Sequence, residues 1–159
     1  MANVVTKKGV MDGDKYIIPC EFTDIKQAIV DNNYSDTIYI TLKDELYGIA
    51  VIKDLNSGKV EYTQNEFDEI NQFQNGVAVF GQYCERFGTK YGLININLDE
   101  VLECIYDEID YLSYDYLSIK KDGKYGVYSI PEKKFIVECN HKGVSWTNED
   151  GQDKIILDV

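Results

Sequence analysis

Arginine is almost missing from this chain: Arg86 stands alone, and Lys and Arg together number 16 against 28 Asp and Glu. The net charge is −12 and the sequence pI is near 4.4. Such a chain lacks the clustered cations that release counterions from a phosphate backbone, which argues against nucleic acid as a partner. An anionic membrane surface would repel it as well. No run approaches eighteen apolar residues, so no transmembrane segment is expected. Proline is nearly absent, with two residues, which leaves no Pro-rich linker. Histidine is scarcer still, with His141 alone, and no C-x-x-C occurs. A zinc site built on Cys139 and His141 is therefore a weak expectation, and no metal or other cofactor is expected. The first residues lack the charged-then-apolar order of a signal peptide, so a cytoplasmic location is the default expectation.

What the chain does have is 13 Tyr and 6 Phe in 159 residues, with 44% apolar residues. That suffices for one domain over residues 1–159 with a core of its own. The tyrosines recur in order. Lys8-Gly9-Val10, Leu46-Tyr47-Gly48-Ile49, Lys90-Tyr91-Gly92-Leu93 and Lys124-Tyr125-Gly126-Val127 mark successive starts of one unit. Between them an aromatic with an acidic and aliphatic tail returns as Phe22-Thr23-Asp24-Ile25, Phe67-Asp68-Glu69-Ile70 and Tyr106-Asp107-Glu108-Ile109. The spacing, about 34 to 45 residues, lies in the range of repeat architectures. Cys20, Cys104 and Cys139 each precede by two the site of Phe22, Tyr106 and His141. Equivalent places predict equivalent surroundings, so these three read as small apolar core residues and, with Cys84, as reduced thiols.

Tyr91–Ile96, Val101–Tyr106 and Tyr114–Ile119 are rich in strand formers and separated by polar turns. Asp122-Gly123 between strand-like runs is a hairpin signal, because glycine accepts a positive φ without steric cost. Ile38–Leu42, Leu46–Gly48, Val60–Thr63 and Gly76–Phe80 read as further strands. Only 24–30 and 65–73 could support a short helical turn. The expected fold is all-β, an antiparallel meander of about four hairpin repeats, left open or closed like a barrel. Glycine inside a strand marks a bulge or a close backbone approach, and the tyrosine before it can lie over a bare glycine next door. The longer connection from Gly81 to Thr89, with Cys84, Arg86 and Phe87, is a candidate partner-facing loop.

The Lys-Tyr-Gly-Val start at Lys124, the Asp-Gly before it, and Phe73-Gln74-Asn75-Gly76-Val77-Ala78-Val79 resemble the bacterial WG-repeat family. So does Lys8-Gly9-Val10-Met11-Asp12 with Lys15-Tyr16-Ile17-Ile18-Pro19 and Phe22-Thr23-Asp24-Ile25. The resemblance covers most of the chain as a divergent Tyr-Gly version. Tyr47, Tyr91 and Tyr125 replace the family's Trp, and Glu103 and Glu138 stand where Pro19 stands in the first copy. It implies a non-catalytic β-rich repeat domain that serves protein interaction, and it carries no catalytic residues to transfer.

The residues themselves point the same way. His141 falls where the other copies place an aromatic, and no nucleophile elbow or phosphate loop is present. Paired acids such as Asp68-Glu69 and Asp107-Glu108 leave a β-rich carbohydrate-active enzyme as a weaker alternative. Their recurrence at one repeat position suits structural residues better. The densest acidic and aromatic stretch supplies Asp107, Glu108, Asp110, Tyr111, Tyr114, Asp115 and Tyr116, and with Asp68 and Glu69 these form the expected partner-binding set. Tyrosine beside carboxylate offers rigid contact area and charge-assisted bonds to a basic protein. A solvated acidic face is the simpler account of the same residues. The expected function is a non-enzymatic inhibitor or immunity-type protein for a basic toxin or nuclease, or else a scaffold that pairs a peptide with a sheet edge.

Overall fold

The computed structural model describes residues 6–28 and 37–159, and every named element among them is a β-strand. The chain opens with a hairpin of β1 (Lys8–Asp12) and β2 (Lys15–Phe22). Three four-stranded antiparallel meanders follow. The first holds β3 (Asp24–Gln27), β4 (Thr37–Lys43), β5 (Leu46–Asp54) and β6 (Lys59–Tyr62). The second holds β7 (Glu69–Ile70), β8 (Val77–Cys84), β9 (Gly88–Asn95) and β10 (Glu100–Tyr106). The third holds β11 (Glu108–Tyr111), β12 (Tyr116–Lys121), β13 (Lys124–Ser129) and β14 (Lys134–His141). A second hairpin, β15 (Gly143–Glu149) and β16 (Gln152–Asp158), completes the described chain.

All-β antiparallel architecture is thus as expected, and the sheets stay open, with no barrel closed among the described residues. The helical turns considered for 24–30 and 65–73 do not form. Asp24–Gln27 is strand β3 and pairs with β4, while 29–30 lie outside the described residues. Residues 65–68 and 71–73 run as irregular chain beside the two-residue strand β7. Packing against the neighbouring sheet overrides the weak local helix preference there: Phe67 and Phe73 are both buried in one core cluster.

Turn chemistry sets the hairpins. Asp122 and Gly123 both take positive φ (51° and 74°), as do Asp150 and Gly151 (53° and 77°), which matches the right-handed twist of the strands they join. Asp44 and Glu45 do the same without a glycine. The connection from Gly81 to Thr89 is not a loose loop. Strands β8 and β9 stay paired out to Cys84 and Gly88, so the insertion is a longer hairpin.

Three core clusters lie between successive sheets. Ile18 and Phe22 pack on Ala50 and Ile52; Ile49 and Val51 pack with Ala78, Phe80 and Ile94; Val77, Val79 and Leu93 pack with Leu117, Ile119 and Tyr128. Strand alternation sends 78 and 80 to one face and 77 and 79 to the other, so the second sheet is covered on both faces. That is why Val77–Phe80 reads as a continuous apolar run.

The repeat itself is a bulge. Tyr91 and Leu93 pair with Tyr106 and Leu102, two residues against four; Tyr125 and Val127 pair with His141 and Val137 in the same way. Lys8 and Val10 pair likewise with Phe22 and Ile18. In the first meander Tyr47 bridges Phe67, and Thr63 N donates to Ile49 O. The extra residues press onto the repeat glycine. An added Cβ would meet Ile18 O at 2.6 Å from Gly9, Leu102 O at 2.8 Å from Gly92 and Val137 O at 2.5 Å from Gly126. The expected tyrosine over a bare glycine of the adjacent strand is found once, where the Tyr91 ring covers Gly81. His141 holds the register position of Phe22, Phe67 and Tyr106, as its place in the repeat suggested.

The repeat cysteines reach the core only in part: Cys104 and Cys139 pack against it half-buried, and Cys20 is exposed. All four are free thiols; Cys20 and Cys84 are exposed, and Cys104 and Cys139 are half-buried. Cys20 and Cys104 donate inside the bulge, whereas Cys139 Sγ donates to Ile119 O on β12 at 3.5 Å. Cys20 Sγ donates to Lys7 O at 2.9 Å and Cys104 Sγ to Lys90 O at 3.0 Å, in each case the carbonyl two before the repeat glycine. Asn65 takes the same place in the first meander and donates through Nδ2 to Leu46 O at 3.0 Å. The side chain at this position thus gives each of these carbonyls a further donor.

Candidate partner-binding face

Each of the three meanders carries an acid just after the bulge aromatic, at the start of its first strand, whereas β15 follows Lys142. One use of that position is structural. Lys90 pairs with Asp107, and Lys8 Nζ lies 2.7 Å from Asp24 Oδ1 one position further on, where the later units have Glu69 and Glu108. The Lys90 side chain bonded to Asp107 holds that carboxyl below the usual carboxylate range, helped by the backbone at Gly123. Asp68 Oδ2 accepts from Tyr83 N at 2.6 Å. Asp68 and Asp107 therefore hold chain segments in place, and Asp107 has its charge matched by Lys90.

The next acidic position has another use. Glu69 on β7, Tyr91 on β9, and Glu108 and Asp110 on β11 converge where the second and third sheets meet, lining a cleft of about 190 Å³ with Asn71, Val79 and Ile109. The Tyr91 hydroxyl donates to Glu69 Oε2 at 3.3 Å. Burial pushes that phenol up, and Glu69, Asp110 and Glu108 reinforce the shift by opposing a further negative charge. Glu108 is shared: its Oε1 faces Lys120 Nζ at 3.3 Å and its Oε2 accepts from Tyr125 at 3.4 Å. The Lys120 ammonium also lies 5.2 Å from the centre of the Tyr125 ring. Glu69 and Asp110 are exposed and make no ion pair among the described residues.

The other expected residues lie apart from this cleft. Tyr111 turns inward, donates to Val77 O at 3.2 Å, and has its pKa pushed up to about 12 by burial. Tyr114 is exposed, and its carbonyl accepts from Asn75 Nδ2 at 3.2 Å. Asp115 Oδ1 accepts from the same amide at 3.0 Å, and Tyr116 is half-buried opposite Ser129. This far end of the β11–β12 hairpin is thus tied to the second sheet. Tyr91 and Asn71 join the acidic cleft without having been expected there, and Tyr125 bonds Glu108 beside it. The tyrosines carried a signal, since Tyr91 and Tyr125 both stand before a repeat glycine and both bond an acid that follows a bulge aromatic.

Larger hollows lie elsewhere, among them one of about 380 Å³ lined by Tyr62, Glu66, Gln82 and Glu100. Another, of about 420 Å³, is lined by Tyr83, Phe87, Cys104 and Ile105 at the long hairpin, where the Arg86 guanidinium lies 5.1 Å from the Phe87 ring centre. A third, of about 350 Å³, lies between Asn75, Asn97 and Lys133. No group of three or more His, Cys, Asp or Glu able to hold a metal ion occurs among the described residues.

Stacked, bulge-keyed β-units of one register define a β-repeat protein. Residues 91–125, from one repeat tyrosine to the next, match the model of the WG containing repeat. No curated protein and no solved structure matches the chain.

Proposed function

We propose that this protein is a non-enzymatic binding domain for a basic protein partner, and within that class an inhibitor or immunity-type protein that masks a basic toxin or nuclease. The observation that carries the reading is the convergence of Glu69, Glu108 and Asp110 around the Tyr91 hydroxyl at a sheet junction. A lysine or arginine side chain entering there would meet carboxylates and an aromatic face together, which favours cations over neutral guests. The net charge of −12 adds a long-range field that speeds the approach of a basic partner. The test is affinity isolation from the cells that make the protein, at low and at high salt, with the parent and with Glu69→Lys/Asp110→Lys. One basic protein recovered in equal amount, released by salt and lost from the double variant, is the expected result. Capture that is indifferent to both salt and charge reversal would remove the reading.

A second reading, a scaffold that takes up a strand at a sheet edge, is favoured by one observation. The β1–β2 and β15–β16 hairpins stand as two-stranded sheets beside four-stranded ones. In that case proline on an edge strand abolishes binding, while reversal of Asp107 and Asp110 changes little.

A further inference from the structure

The two terminal hairpins are different halves of one unit. β1 carries the repeat glycine and β2 the bulge, so they match the third and fourth strands of a meander. β15 and β16 match the first and second. His141 sits at the aromatic position, and Lys142 N donates to Asp158 O as Thr23 N does to Leu42 O, Asp68 N to Gly81 O and Asp107 N to Lys120 O. In the three complete meanders the second strand pairs with the third, and the residue beside that conserved acceptor faces the repeat glycine: Thr41 with Gly48, Phe80 with Gly92, Ile119 with Gly126. On β16 that residue is Leu157. The remaining repeat glycine, on β1, is Gly9. Among the described residues neither β16 nor β1 has a strand on this inner edge.

We infer that β16 of one molecule pairs antiparallel with β1 of a second copy, with Leu157 opposite Gly9, completing a fourth meander in the order β15, β16, β1, β2 across the two chains. The register brings Asp158 opposite Lys8 and Lys154 opposite Asp12, so both charged pairs are attractive. These pairs are exposed and select register more than they add affinity. The register also aligns Trp146, Ile155, Met11 and Tyr16 in one row across the new sheet, since Trp146 pairs with Ile155 and Met11 with Tyr16 already. The same row in the third meander is Tyr111, Leu117, Tyr128 and Phe135. There Leu117 is 0% and Tyr128 4% exposed, whereas Met11 and Tyr16 are each 50% and Trp146 36% exposed. A row that is core in the complete unit is thus left in water in the two halves.

A second copy suits this geometry better than closure of one chain on itself. Core clusters link each sheet only to its neighbours in chain order, and none joins the first hairpin to the last. The contact is head-to-tail, so it extends or closes as a ring and does not stop at a two-fold dimer. One strand pair is a small interface, which makes the association concentration-dependent. The inference stands apart from the basic-partner reading, because it uses neither Glu69, Glu108 nor Asp110.

Light scattering of the unmodified chain over rising concentration should show at least a doubling of the 18.3 kDa mass. A mass fixed at 18.3 kDa throughout overturns the inference. The register is tested by mixing a Met11→Cys variant with an Ile155→Cys variant under mild oxidation. Peptide mass spectrometry should find a disulfide joining positions 11 and 155 of different chains, distinct from any bond of the native thiols. Absence of that link, or its formation within single chains of the double variant, overturns the pairing between copies.

Discussion

A methyl group at Gly126 would lie 2.5 Å from the Val137 carbonyl oxygen and 2.8 Å from Cys139 N, both backbone atoms of the bulge. Backbone held in a ladder cannot step aside as a side chain can. Gly126→Ala should therefore cost more than about 2 kcal/mol in urea unfolding. Gly123 makes the contrast: its φ is +74° and no atom lies within 4 Å of an added Cβ, so Gly123→Ala should cost about 1 kcal/mol from backbone strain alone. Equal losses at the two sites would refute the close approach as the reason for the repeat glycine. Tyr111 gives a pH signature. Its pKa rises from 10.0 to about 12 because burial disfavours the phenolate. A raised folded-state pKa means that the unfolded chain loses its proton first, so the stability is whole below pH 10 and drains away as pH climbs towards 12. The loss over that window should reach about 2 kcal/mol, and Tyr111→Phe should flatten it. An unchanged alkaline slope in the variant would show that Tyr111 does not titrate this way.

At the scale of the element, one backbone carbonyl is met by two kinds of side chain. The carbonyl two residues before the repeat glycine accepts from a side chain of the bulge, the thiol of Cys20 or Cys104 or the amide of Asn65. Asn65 does more, since its Nδ2 also reaches Thr41 O at 3.3 Å and Thr41 Oγ1 at 3.2 Å. Asn65→Ala strands these acceptors in a part-buried site and should cost about 2 kcal/mol. Asn65→Cys installs the donor that the other units use and should lose less than half of that in the same denaturation experiment. If cysteine proves as damaging as alanine, the position is not a shared donor site. The phase of the repeat was legible in the sequence because its glycines and bulge aromatics recur visibly. The donor role was not, since cysteine and asparagine share no sequence signature and a recurring cysteine reads as core. The acidic cleft was half legible. Glu69 and Glu108 stand out by their recurrence, and Tyr91 reads as packing on glycine. That packing, over Gly81, carries its hydroxyl across to Glu69, while only the stacking of sheets adds Glu108 and Asp110. Sequence also began the unit at the tyrosine-glycine pair, whereas each sheet begins at the acidic segment after the bulge. That offset hides the two half-units.

The whole molecule is a stack in which each sheet meets only its neighbours, so its stability is divided along the chain. The ends differ. The first hairpin buries Ile18 and Phe22 against the first meander, whereas no buried hydrophobic residue lies on β15 or β16. A hairpin without buried apolar side chains opens at low free energy, well below the global value. The single tryptophan, Trp146, lies on β15 and reports on that hairpin alone. Its fluorescence should therefore change at lower urea than the far-ultraviolet circular dichroism of the complete meanders. Coincident transitions would mean that the hairpin unfolds with the stack and that its sparse burial does not set its stability. The separation should also depend on concentration. If a second copy covers Trp146, dilution exposes the hairpin and moves the fluorescence midpoint down, while the later transition holds still. A midpoint independent of dilution would show an end hairpin that frays alone, and would count against its completion by another chain.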